Sequence, residues 1–278
     1  MRQNDTQNLA LMSTLPGFAE VRSLRAHFTS FAFEPHAHAE YVLGTVQDGV
    51  QRYSHRFGES YLQPGGLFTI NPDEIHSGAP ALQSGYAYRV VYVPQQTVLE
   101  AFADVPGADH PRYFLRPEAH DPELARRFSY AMSLFDEDYP ENRLEAESHF
   151  VACLRDFFTR HAVPDDAEHV GANVRLAARL KCFLYEHAAE GVSLDELAQE
   201  AGLSKYHVLR TFKAATGIAP HAFLNQCRVG LARQALEKGH SLTEAALAAG
   251  FSDQSHLSRR FKALVGMSPG QYRRQLSR

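Results

Sequence analysis

The stretch Ala246-Leu-Ala-Ala-Gly-Phe-Ser-Asp-Gln-Ser-His-Leu-Ser-Arg-Arg-Phe-Lys262, entered through Ser241-Leu-Thr-Glu244, decides the architecture of the C-terminal third. Ser241 and Glu244 form an S-x-x-E capping box: the serine caps an amide of the first turn and the glutamate reaches back to the serine amide. Ala246 and Ala249 are small enough for a second helix to approach, and Gly250 suits the positive φ of a tight turn. The pattern also stands 48 residues earlier, as Ser193 to Glu196, Ala198, Ala201 and Gly202. After one inserted residue the offset becomes 49: Arg210-x-Phe212-Lys213 returns as Arg259-x-Phe261-Lys262, and Gly217 and Pro220 as Gly266 and Pro269. Each copy reads as a short capped helix, a glycine turn and a second helix, with Ser204 and Ser252 placed to cap that second helix.

Charge supports a nucleic-acid role for this repeat over a purely structural one. Residues 171–278 hold 15 Lys and Arg against 8 Asp and Glu, whereas residues 1–170 hold 13 and 24. A basic segment joined to an acidic one is the electrostatic footprint of a nucleic-acid-binding module beside a module with another task.

The repeat resembles the DNA-binding domain of the AraC/XylS family, over residues 173–278 as a whole. The resemblance rests on the Ala246–Lys262 stretch, on Gly266-Met-Ser-Pro269 and Tyr272-Arg273 after it, and on the joining segment Pro220 to Leu236. It implies two helix-turn-helix units, each laying its second helix in the major groove of duplex DNA. By position in the motif, the first unit would present Lys205, Tyr206, Leu209 and Arg210, and the second Gln254, Ser255, His256, Ser258 and Arg259. Arg pairs with guanine O6 and N7, and Gln with adenine N6 and N7. Lys213, Arg260, Lys262, Arg273 and Arg274 suit phosphates, which fix register without reading sequence.

Upstream, residues 21–118 read as β: Tyr41–Val46, Gly66–Ile70 and Tyr86–Val93 are rich in Tyr, Val, Phe and Ile, with Gly and Pro punctuation between them. Residues 121–161 switch to helical spacing, with Leu124, Phe128, Met132 and Phe135 on one helix and Leu144, Val151, Leu154 and Phe158 on another. That stripe either packs on the β domain alone or also forms a dimer seam. Residues 163–172 are polar and aperiodic, and read as a linker.

Two histidines at i and i+2, His36 and His38, precede a strand, and His76 follows Asn71-Pro72. This layout resembles the cupin-like effector domain at the N-terminus of AraC-type regulators. The chain is therefore expected to be a multidomain α+β protein: a cupin-like β barrel with an N-terminal arm (1–118), a helical pair (119–162), a linker (163–172) and an all-α domain with two helix-turn-helix units (173–278).

Candidate effector contacts are His36, His38, Tyr41, Arg52, His76 and Arg89, with Tyr53 and Tyr88 as walls. An arginine in the pocket would favour a carboxylate, such as that of an amino acid. A metal, if bound, would use His36, His38, Glu40 and His76. Against an enzymatic cupin, Glu40 follows His38 by only two residues, and Pro72-x-x-x-His76 lacks the intervening glycine.

The expected function is a transcription regulator controlled by a small molecule; the alternatives are a metal sensor or a metal-dependent cupin enzyme fused to a DNA-binding domain. No nucleophile, P-loop or dinucleotide fingerprint suggests catalysis. The polar N-terminus shows no secretory signal, no apolar run reaches the roughly 20 residues of a membrane span, and Cys153, Cys182 and Cys227 form no metal pattern. A cytoplasmic, DNA-binding activator, dimeric and in contact with RNA polymerase, is the expectation that follows from the resemblance.

Overall fold

The computed structural model describes residues 8–55, 58–105, 112–136, 139–164 and 172–276. They fall into two compact units, one of residues Met1–Ala32 and His38–Asp166 and the other of Phe33–Ala37 and Ala167–Arg278. Ten helices and eleven strands are described.

The N-terminal unit opens with β1 (Asn8–Leu15), β2 (Phe18–Phe28), β3 (Tyr41–Gly49), β4 (Gln51–His55), β5 (Gly58–Leu62), β6 (Gly66–Ile70), β7 (Ser77–Pro80) and β8 (Tyr86–Val93). It continues with α1 (Gln95–Ala101), β9 (Arg112–Phe114), β10 (Glu118–His120), α2 (Pro122–Leu134), α3 (Tyr139–His161) and β11 (Ala162–Pro164). Six strands form one sheet in the order β1-β2-β8-β3-β6-β10, β5-β4-β7 form a second, and β9 pairs with β11. The stretch expected to be an arm is thus edge strand β1, paired with β2 from Asn8↔Phe28 to Thr14↔Arg22. Of the expected linker, Val163 and Pro164 are in β11 and residues 165–171 lie outside the described residues.

The β-rich domain forms as expected, but its larger and smaller sheets are not closed into the β barrel that the cupin-like resemblance implied. Between them the described residues show one isolated bridge, Val46 to Pro64. Closure would need a continuous ladder there, and Pro64 has no amide to donate to one. The chain crosses from one sheet to the other at Gly49–Gln51, and the side chains of the smaller sheet lie on the larger one: Tyr53 is 6.4 Å from Phe68, ring to ring.

The opposite face of the larger sheet carries the helical pair. Tyr41, Leu43, Leu67, Val91 and Val93 from the strands pack with Leu124, Phe128, Ala131 and Met132 of α2 and Phe150, Leu154, Phe157 and Phe158 of α3 in one buried cluster. Asp121 caps α2 by accepting from the Leu124 amide, with Pro122 at the first helical position, where a missing amide costs nothing. The apolar stripe expected either for the core or for a dimer seam is therefore buried within the unit. The exceptions are Leu144, which is 79% exposed, and Val151, which is half-buried and outside the cluster.

The C-terminal unit is all helix: α4 (Ala172–Glu186), α5 (Leu194–Ala201), α6 (Lys205–Thr216), α7 (Pro220–Glu237), α8 (Leu242–Ala248), α9 (Gln254–Val265) and α10 (Pro269–Leu276). The long α7 buries Phe223, Leu224, Cys227, Val229, Ala232 and Leu236. Gly230 faces open space, so its helix cost buys no close approach. Of the cysteines, Cys153 and Cys227 are buried and Cys182 is exposed. No described helix is long and apolar enough to cross a membrane.

Phe128→Ala should destabilise the N-terminal unit by about 3–5 kcal/mol, and Leu144→Ala by less than about 0.5 kcal/mol. Urea unfolding of the full-length variants checks this; equal costs would mean that the stripe is not the core.

Candidate nucleic-acid interface and ligand site

Both copies of the repeat fold as helix, turn and helix. Ser193 and Glu196 form a complete capping box at the start of α5, and Ser241 and Glu244 do so at α8. The serine hydrogen bonds hold both glutamate carboxyls below their ordinary range. Gly202 and Gly250 take the turns at φ +65° and +77°.

The second helices are capped differently in the two copies. Ser204 accepts from the His207 amide, but at α9 the cap is Asp253, which accepts from the His256 amide at 2.8 Å. The expected cap Ser252 donates instead to Asp253 at 3.1 Å. The inserted residue moves the cap one position along, and an aspartate is as good a cap as a serine. The His256 amide bond is the main force holding the Asp253 carboxyl below its usual value.

Each second helix buries one face and leaves another to solvent. In α6, Val208, Thr211 and Phe212 are buried, whereas Tyr206, Arg210 and Lys213 lie three or four residues apart on the exposed side. In α9, Leu257 and Phe261 are buried, and Ser255, Arg259 and Lys262 repeat that exposed spacing. Tyr206 is 86% exposed.

The other expected contacts sort less uniformly. Leu209 and Gln254 are exposed, and Ser258 is half-buried. Lys205 pairs with Asp195 of α5 at 2.7 Å. His256 is half-buried edge-on to Phe251, with ring centres 5.2 Å apart. His207, absent from the expected set, is exposed one helical turn before Arg210; the i, i+3 spacing could have found it.

In the N-terminal unit, period-two alternation along β8 sorts the ligand candidates. Tyr86, Tyr88, Val90 and Tyr92 take one side, and Arg89, Val91 and Val93 the other. Tyr86 and Tyr88 stack at 5.3 Å, and Phe68 lies 6.3 Å from Tyr88. From the smaller sheet, Gln51 donates to the Tyr86 hydroxyl at 3.4 Å, and the Tyr53 ring lies 6.3 Å from His76. The Tyr53 hydroxyl and Gln51 Oε1 are buried and have no hydrogen-bond partner among the described residues. Burial pushes the phenols of Tyr53, Tyr86 and Tyr88 well above their ordinary range, so they stay neutral.

Of the three histidines, His38 and His76 are brought together in the N-terminal unit, ring centres 4.9 Å apart, whereas His36 lies in the Phe33–Ala37 segment that belongs to the other unit. The other expected contacts are elsewhere. Tyr41 faces the helical pair, its hydroxyl donating to the Arg112 carbonyl at 2.6 Å and its ring edge-on to Phe158. Arg52 is exposed, because Gln51 and Tyr53 take the buried side of β4. Arg89 is buried on the helix side of β8, where it donates through both terminal nitrogens to Asp136. Glu40 lies 3.9 Å from Arg22. The row missed from sequence was Gln51, Phe68, Tyr86 and Tyr92; the alternating tyrosines of β8 were the available signal.

Two capped helix-turn-helix units behind a β-rich ligand-type domain define a transcription regulator. The AraC-like ligand binding domain family matches residues 18–154, and the helix-turn-helix domain family matches residues 197–275. The HTH-type transcriptional regulator YbfI of Bacillus subtilis (strain 168) is 30% identical over 263 residues, 92% of this chain and 90% of that protein. The chain belongs to the AraC family of transcriptional regulators, with an N-terminal ligand-binding domain and a C-terminal DNA-binding domain. Its fold is that of ToxT from Vibrio cholerae O395, at a TM-score of 0.58 and 11% identity over 92% of this chain and 98% of that one. The unsaturated-fatty-acid-bound ToxT of strain SCE256 matches at 0.56 and 13%, over 100% and 98%.

Gly250 and Gly202 should respond differently to alanine. A Cβ at Gly250 would meet the Ala189 carbonyl oxygen at 2.3 Å, whereas at Gly202 nothing lies within 4 Å. Gly202→Ala should cost only the left-handed backbone penalty, about 1–2 kcal/mol, and Gly250→Ala distinctly more. Thermal or urea melts read the difference; equal costs would deny the close approach at Gly250.

Proposed function

We propose that this regulator reads a specific DNA sequence through the exposed faces of α6 and α9, and that its effector is an uncharged molecule held between the two sheets of the N-terminal unit. The observation that carries the DNA reading is the repeated exposed triplet, Tyr206, Arg210 and Lys213 on one helix and Ser255, Arg259 and Lys262 on the other. Arg210 and Arg259 sit mid-face, where a fork of donors can engage guanine. Tyr206, Leu209, Gln254, Ser255 and Ser258 flank them as base or sugar contacts, and Lys205 and His256 hold the turns. Lys213 and Lys262, one turn further along, suit phosphates.

Arg259→Ala should weaken binding to a selected site by about 1–3 kcal/mol and relax preference at one base pair. Lys262→Ala should weaken selected and random DNA alike and lower the salt slope by about one. Fluorescence anisotropy on both kinds of DNA measures this. An equal loss on both from Arg259→Ala would remove its base-reading role.

The chemistry of the ligand interior supports a neutral effector. Its polar groups are neutral phenols, a carboxamide and imidazoles. The two arginines expected to anchor a carboxylate are turned to solvent and to Asp136. An amino acid or a fatty acid, as ToxT holds, would therefore bring a carboxylate without a guanidinium to receive it, and burying such a charge unpaired is costly. The Tyr53 hydroxyl and Gln51 Oε1 offer the hydrogen bonds that orient a hydroxylated or aromatic ligand.

A thermal-shift screen of the full-length protein should find its hits among sugars, polyols and phenols rather than carboxylates, since binding stabilises the folded state by mass action. Tyr53→Phe should reduce the shift. A carboxylate hit whose shift depends on Arg52 or Arg89, with Tyr53→Phe neutral, would overturn the neutral-effector reading.

The pairing of a ligand-binding unit with a DNA-binding unit supports a sensor role for the β-rich unit, with polymerase contact as the proposed output. Self-association through the helical pair would use its outer face, where Tyr130 and Leu144 are exposed, because the inner stripe is buried within the unit.

A further inference from the structure

We infer that Tyr206 and Leu209 read thymine methyl groups beside the guanine contacted by Arg210, so that the first helix-turn-helix unit selects thymine by apolar contact. The inference rests on the DNA reading given above and names what the exposed face of α6 recognises. The first observation is the comparison of the two copies at their offset of 49 residues. On one side of α6 stand Tyr206, Leu209, Arg210 and Lys213; the matching positions of α9 hold Ser255, Ser258, Arg259 and Lys262. The arginine and the lysine are shared. The other two positions change from a pair of small hydroxyls to a pair of large, mainly apolar side chains.

The second observation is that this pair stands outside the packed face of its helix. The buried residues of α6 are Val208, Thr211 and Phe212, whereas Tyr206 is 86% exposed and Leu209 37%. At i and i+3 the two side chains are neighbours on the helix surface. The third observation concerns Lys205, which occupies the position that Gln254 holds in the second copy. Lys205 is paired with Asp195 of α5 at 2.7 Å, and Thr243 stands where the second copy would need that aspartate. The polar side chain at the start of α6 is thus drawn back toward α5 by a charge that the second copy lacks. The apolar pair and Arg210 are left as the face of α6 turned outward.

The chemistry of base edges turns these observations into a preference. A leucine side chain has neither donor nor acceptor, so what it favours on a base edge is the thymine C5-methyl, the apolar group of the major groove. The Tyr206 ring adds apolar area in the first turn of the helix, where recognition helices face the bases. A rise of about 1.5 Å per residue sets Tyr206 and Leu209 about 4.5 Å apart along the helix axis, close to the ~3.4 Å step between neighbouring base pairs. Arg210, the next residue after Leu209, engages guanine O6 and N7. In α9 the groups around Arg259 are Gln254, Ser255 and Ser258, which read by hydrogen bonds, so that half of the site needs no methyl.

The test is a deoxyuridine scan, because uracil keeps the hydrogen-bonding groups of thymine and lacks the methyl. A DNA site selected with the full-length protein is resynthesised with each thymine in turn replaced by deoxyuridine, and affinity is read by fluorescence anisotropy. One or two thymines, beside the guanine whose preference Arg210→Ala relaxes, should each lose about fourfold in affinity, the worth of one buried methyl-sized group. In the Tyr206→Ser/Leu209→Ser double variant, which carries the second copy's residues, those same replacements should have no effect. Should that variant fail to fold, the scan of the wild-type protein still decides. A selected site indifferent to every deoxyuridine, or a methyl effect that persists in full in the folded double variant, would overturn the inference and leave the DNA reading standing. Failure to select any site would remove both.

Discussion

Strand β8 is paired on both sides, with β2 and with β3, so its side chains stand above and below a continuous sheet. Period-two alternation then divides the N-terminal unit into two chemically distinct compartments. Below lie Val91 and Val93, packed on the phenylalanines of the helical pair; above lie Tyr86, Tyr88 and Tyr92, on the side of Gln51, Tyr53, His38 and His76. The register cannot slip by one residue without exchanging a hydrophobic floor for a polar interior. Arg89 shows how strictly the division holds. Its place in the alternation puts it on the helix side, where a buried guanidinium needs a paired carboxylate, and Asp136, just beyond α2, supplies it. An arginine that composition alone would assign to a ligand thus ties the sheet to the helical pair.

In the C-terminal unit the governing constraint is the duplication, in which each copy must end one short helix, turn and start another within a few residues. Capping boxes, left-handed glycines and second caps meet that need in both copies, and the remaining freedom lies on the exposed faces of α6 and α9. The copies differ at the second cap and on the exposed face: Asp253 replaces a serine cap after one inserted residue, and Tyr206 stands where the second copy has Ser255. Two helices with common scaffolding and different exposed side chains can read two different base sequences.

The helical third was legible in the sequence because its signals are local. Ser-x-x-Glu, Gly-turn and Arg-x-Phe-Lys each specify a structure within a few residues, and their repetition fixed the boundaries. The β-rich part was legible only as a class. Whether Tyr41, Arg52 and Arg89 face the ligand interior depends on strand register, which a missed tyrosine alternation in β8 would have supplied. Whether the sheets close into a barrel depends on long-range pairing that no local pattern encodes, and edge strand β1 was hidden in an N-terminus of mixed polarity. The three histidines were visible as residues, but the pairing of His38 with His76 and the separate place of His36 depend on the fold.

The account rests on the two helix-turn-helix units acting together on one duplex, and a hydroxyl-radical footprint on a selected binding site tests that most directly. Two recognition helices entering successive major-groove segments predict two protected windows about 10–10.5 base pairs, or roughly 34 Å, apart on one face of the DNA. A single window, unchanged when the exposed face of α6 or of α9 is replaced by alanine, would contradict it.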